Sequence, residues 1–194
     1  MNRSMLRLAL SAIGTLTAAL TLGGCPPCGS LDPYTVASWG FEECADSTCG
    51  FTVESGSARR TSLFHQGEHG LDLGAGTSVK GFVAGAPANP YGAPSVSLLA
   101  RCDAGTTLSV SLQVSLGSAS GASPLFTPGA PREERDTWLT APASVSSAWS
   151  RATVFLPSAE SVSRVLAVRV VTEGAGHCQI DELDVVQNSA GLCE

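Results

Sequence analysis

Leu108-Ser109-Val110-Ser111-Leu112-Gln113-Val114-Ser115-Leu116 alternates aliphatic and polar residues without a break. A period of two puts all five aliphatics on one side of an extended chain and the hydroxyls and amide on the other. That is the pattern of a strand with one face in a core and one in water. Shorter runs of the same kind occur at Tyr34 to Phe41, Phe51 to Glu54, Gly70 to Leu73, Ser95 to Arg101, Arg151 to Leu156, Arg164 to Val171 and Gln179 to Val186, with Gly, Pro, Ser or Asn clusters between them. No amphipathic helix is evident beyond the first two dozen residues, and 21 Gly with 11 Pro disfavour one. The expectation is an all-β chain, a two-sheet antiparallel β-sandwich of about eight strands. Two connections in this scheme are long, Gly74 to Pro94 and Gly117 to Thr137, and long loops on a sandwich are functional or disordered.

The N-terminal end reads differently. Arg3 and Arg7 supply positive charge, and Leu8 to Leu22 is apolar or small throughout. As a helix those residues would reach roughly 22 Å, short of the ~30 Å hydrocarbon core, so the segment is expected to be a cleaved signal peptide and not a membrane span. Leu22-Gly23-Gly24-Cys25 resembles the lipobox of bacterial lipoproteins, which implies cleavage before Cys25 and lipid on its sulfur. The expected organisation is therefore a signal peptide over 1–24, a lipidated cysteine and Pro-, Gly- and Ser-rich tether over 25–33, and a β-sandwich domain over 34–194. Pro26 after the cysteine lacks the aspartate associated with inner-membrane retention in such lipoproteins, which favours the outer membrane where two membranes exist.

Cysteine count supports this reading. Seven cysteines are awkward in an exported chain, but assigning Cys25 to lipid leaves six that can pair. Cys44 and Cys49 close a short loop. Cys28 and Cys193 lie at the two ends, which usually approach each other. That leaves Cys102 with Cys178, one pairing scheme among the 15 that six cysteines allow.

Removing 24 of the 194 residues leaves 170, enough for one core, and loss of Arg3 and Arg7 moves the formal net charge from −6 to −8. The remaining basic residues are scattered, which argues against a nucleic-acid partner. His65-Gln66-Gly67-Glu68-His69 matches the H-x-x-E-H pattern of inverted zinc peptidases, yet those need both histidines one helical turn apart. Gly67, Gly70 and the alternation that follows predict a turn instead. Gly117-Ser118-Ala119-Ser120-Gly121 has alanine where a nucleophile elbow needs serine. A hydrolase is accordingly the least favoured class, and no catalytic residue is assigned.

The order of local motifs resembles the galactose-binding-like jelly roll of many carbohydrate-binding modules. The motifs are Gly40-Phe41-Glu42, His65-Gln66-Gly67-Glu68-His69-Gly70-Leu71-Asp72-Leu73, the Ala104-to-Ser111 stretch, Trp149 before a strand, and Ile180-Asp181-Glu182-Leu183. The resemblance implies a structural calcium held by Glu42 and Asp181 together with backbone carbonyls. No other cofactor is implied. Ile180 and Leu183 have opposite parity, so burying both demands a bulge around Asp181.

A sugar-binding face needs exposed aromatics with a few polar groups. The candidates are the loop residues Tyr91 and Trp138 with Arg135 nearby, while Trp149 and Phe41 read as core. The expected function is a membrane-anchored, non-catalytic module for carbohydrate or envelope polysaccharide. The alternative is a structural or assembly lipoprotein whose partner is another envelope protein.

Overall fold

A computed structural model describes residues 31–42, 44, 46–83, 93–117, 135–156 and 161–189, the side chains of 31–34, 117, 161, 188 and 189 apart. Cys25, Cys28, Tyr91 and Cys193 lie outside the described residues. The described chain is all strand and turn. Its eleven strands, in chain order, are β1 (Leu31–Trp39), β2 (Phe51–Ser55), β3 (Ala58–Thr61), β4 (Gly70–Leu73), β5 (Ser78–Phe82), β6 (Pro94–Cys102), β7 (Thr107–Gly117), β8 (Arg135–Ala143), β9 (Ser150–Phe155), β10 (Ser161–Glu173) and β11 (Cys178–Ser189). They form two antiparallel sheets, one ordered β3-β4-β11-β6-β9 with β1 added to β11, the other β2-β5-β10-β7-β8.

The alternating segment is the central strand β7. Leu108, Val110, Leu112 and Val114 are buried, and they face a core shared with Leu71, Leu98, Ile180 and Leu183 of the other sheet. At ~25 cal/mol per Å² of apolar area, this aliphatic interface is the main stabilising contribution. Two of the expected disulfides form: Cys44–Cys49, and Cys102–Cys178, the latter between residues directly opposite each other on β6 and β11.

Three strands stand where the sequence reading has loop, and a fourth starts earlier than expected. β3 and β5 fall in segments expected to be turn or loop, and β8 begins at Arg135 inside the expected connection to Thr137. β1 also starts at Leu31, three residues before the expected domain boundary. The first three have physical reasons. β3 is short and polar, and β5 contains Lys80 and Gly81 in five residues. β8 carries Pro142, which an edge strand bonded only to β7 tolerates.

The bulge required by Ile180 and Leu183 is present. The β11–β6 register shifts between Asp181 and Leu183, and Glu182 takes φ 49°. This is also where β11 changes neighbour, pairing with β4 through Ile180 and with β1 from Leu183. Asp181 is thereby aimed at the seam between those two partners.

Candidate functional site

The outer face of the five-stranded sheet carries an aromatic and charged platform. Register places Phe82 of β5 opposite Ala167 of β10, Ala167 opposite Gln113 of β7, and Gln113 opposite Trp138 of β8. All four share one face, because Leu112 and Val168 beside them point into the core. Ala167, with only a methyl group, forms the floor. Phe82 is 66% exposed, an uncommon position for a phenyl ring on a strand, and Trp138 is half-buried.

Two cations lie between the rings. The Arg169 guanidinium sits 4.0 Å from the Trp138 ring centroid, while the Lys80 ammonium is 5.3 Å from that ring and 5.0 Å from Phe82. Both arrangements are within cation–π range. Glu54 of β2 accepts two bonds from Arg169, Nε at 2.7 Å and Nη2 at 2.9 Å, and a third from the Ser78 hydroxyl at 2.8 Å. These bonds, led by those from Arg169, hold the Glu54 carboxyl below its ordinary value of 4.5. Lys80 Nζ donates to Gln113 Oε1 at 3.2 Å. Toward β8 the face is tied by hydroxyls, with Ser111 bonded to Thr140 at 2.8 Å and Ser115 donating to Asp136 at 2.6 Å.

Of the expected ligand residues, Trp138 belongs to this platform, though it stands on a strand and not in a loop. Arg135 opens the same strand opposite Leu116, an odd number of residues from Trp138, so a regular strand sends the two to opposite faces. Phe82, Lys80, Gln113 and Arg169 were not singled out in the sequence. The alternation of Ser78, Lys80 and Phe82 against Val79, Gly81 and Val83 was the signal available for β5.

Glu42 and Asp181 converge on one segment, but as clamps. Asp181, 1% exposed, accepts the backbone N–H groups of His65 at 3.0 Å and Gln66 at 2.8 Å through Oδ2. Glu42 accepts those of Glu68 at 3.0 Å and His69 at 3.2 Å, which lowers its pKa. Between them Gly67 has φ 77°, and a Cβ there would stand 2.1 Å from Glu42 Oε1, so this turn requires glycine. The Arg60 guanidinium donates from Nη2 to the Glu42 carbonyl oxygen. A calcium ion needs six or more oxygens facing it, whereas here N–H groups and a guanidinium face the carboxylate and the carbonyl, a donor set that does not fit calcium.

The H-x-x-E-H segment is this turn. The His65 ring packs edge-on against Trp149, 6.0 Å between centroids, while His177 sits over Asp72, Nδ1 3.2 Å from Oδ2. Among the described residues no group of three or more His, Cys, Asp or Glu converges to hold a metal. Trp149, expected in the core, is half-buried on the outer side, with Arg101 5.3 Å from its ring.

No protein-family model and no curated protein matches the sequence. Solved structures do. The CBM22-1 xylan-binding domain from Paenibacillus barcinonensis Xyn10C aligns with a TM-score of 0.51 at 17% identity, over 81% of this chain and 96% of that one. The CBM22-1 and GH10 modules of Clostridium thermocellum xylanase 10B, complexed with xylohexaose, align at 0.52 and 11% identity over 83% of this chain and 30% of that one. The shared feature is the fold, a two-sheet antiparallel β-sandwich like that of these carbohydrate-binding modules. It is not confined to such modules, because the enzymatically active domain of bacteriophage CBA120 tailspike protein 4 aligns at 0.51 and 9% identity, over 79% of this chain and 21% of that one.

Proposed function

We propose that this chain is an exported, lipid-anchored, non-catalytic module that binds polysaccharide on the outer face of its five-stranded sheet. The observation that carries the reading is the Phe82–Trp138 platform. Two aromatic rings stand on β5 and β8 of a rigid sheet, one of them largely exposed, with hydrogen-bonding groups on β10 and β7 between them. Pyranose rings present apolar C–H faces that stack on aromatics and hydroxyls that need polar partners, so this surface offers both. The similar structures described as xylan-binding or as complexed with xylohexaose make a β-linked plant-type polysaccharide the first ligand to try.

Affinity electrophoresis against xylan and related polymers tests the reading. Wild-type protein is retarded. Trp138→Ala loses roughly 2 kcal/mol, about thirtyfold in Kd, with the circular dichroism unchanged. Phe82→Ala removes an exposed ring and is a second variant that leaves the core intact. Absence of retardation on every polymer, or full retention by both variants, rejects the proposal.

The anchor is the finer part of the same proposal. Cys25 follows a short apolar segment and a lipobox-like Leu22-Gly23-Gly24. More than one acyl chain on it makes attachment stable where a single chain is marginal, and Pro26 favours the outer membrane. Cys25→Ser releases the protein into the soluble fraction; retention of that variant in the membrane pellet counts against lipid attachment.

A further inference from the structure

We infer that the platform selects sugars bearing an anionic group and that Lys80 is the residue that reads it. This rests on the glycan-binding reading of the same face and goes on to name the class of glycan. Of the two cations there, Arg169 is held by Glu54 through two hydrogen bonds, and Glu54 is further engaged by Ser78. Lys80 differs. Among the described residues its hydrogen-bond partner is the neutral Gln113 amide oxygen, at 3.2 Å; its charge acts on the Glu54 carboxylate from a distance, without a direct ion pair, and that carboxylate is bonded to Arg169. Its ammonium lies about 5 Å from the centroids of both Phe82 and Trp138, at the centre of the surface a sugar would cover.

A sugar stacked on either ring therefore carries its substituents across Nζ. A neutral sugar would strip water from this ammonium and return only hydroxyl contacts. A carboxylate or sulfate on the sugar returns a charge-assisted bond, stronger than a neutral one. The selection is local, because the molecule as a whole is acidic and repels polyanions at a distance; Lys80 acts within the ~8 Å screening length of physiological salt.

The test compares dissociation constants of the full-length protein in detergent for xylohexaose, for a xylo-oligosaccharide of the same length bearing one glucuronate, and for a sulfated glycan. Wild type binds an anionic ligand about threefold to fivefold more tightly than xylohexaose, and the preference shrinks in high salt. Lys80→Gln brings the ratio of the anionic to the neutral dissociation constant to about one, and that ratio, not the affinity for xylohexaose itself, is the readout. Lys80→Arg retains the preference. Tighter binding of the uronate or of the sulfated arm assigns the anion to a carboxylate or to a sulfate ester, and either upholds the inference. Equal wild-type affinity for neutral and anionic ligands, or a preference that survives Lys80→Gln, overturns it and leaves the glycan-binding reading standing. Absence of binding to all three overturns both.

Discussion

Arg169 does two things at once on the outer face: its guanidinium plane covers Trp138, and its nitrogens pair with Glu54. The planar, multi-donor head of arginine suits both contacts, which lysine could not make together. The pair has a pH signature. Glu54 is held below 4.5 in the folded protein, so its contribution is complete above that value and is lost as pH falls through the depressed folded value. Half-buried and bidentate, it is expected to contribute about 1 kcal/mol at neutral pH. Thermal unfolding of wild type against Glu54→Gln should show the wild type more stable at pH 7, with the gap closing below pH 4; a gap that is constant or widens on acidification contradicts the pairing. Other single residues spend charge on architecture. Asp181 and Glu42 were expected to hold calcium, and instead each accepts two backbone N–H groups from the 65–69 turn, with Arg60 supplying positive charge at the Glu42 carbonyl. Their place in the chain was legible; the donors that face them come from segments far away in sequence and were not.

At the scale of elements, strands that bury one face declared themselves. β7 follows strict alternation, and in β11 the parity clash between Ile180 and Leu183 announced the bulge that the register shift at Glu182 now shows. β5 and β8 did not, for opposite reasons. β5 needs Gly81 because a Cβ there would stand 2.9 Å from the Phe51 ring and 3.1 Å from Trp39, so close packing against another strand removed the side chain that would have marked it. β8 lies at a sheet edge, where Pro142 is tolerated and few side chains are buried, so its apolar signal is weak. The platform is made by these two strands and the pair between them. Its tryptophan was therefore recognisable as a single residue, while its companions on β5, β7 and β10 were assembled only by register.

For the whole molecule, the two sheets divide the work. The six-stranded sheet holds the fold together: it contains the Cys102–Cys178 bridge, 76 residues apart in sequence and worth about 4 kcal/mol by loop-closure entropy, and the seam where β11 exchanges β4 for β1. The five-stranded sheet presents the rings and cations outward on a surface whose backbone is fixed by hydrogen bonds on both sides of β5, β7 and β10. Binding on such a surface needs little reorganisation, which favours recognition of an extended polymer by a rigid face. A map of amide chemical shifts on titrating the ¹⁵N-labelled protein with the xylo-oligosaccharides named above tests this most directly. The account predicts perturbations concentrated at Lys80, Phe82, Gln113, Trp138 and Arg169 across β5, β7, β8 and β10, with the 65–69 turn and the six-stranded sheet unmoved. Perturbations confined to that turn and to the surface around Trp149, or no perturbation at saturating ligand, would contradict it.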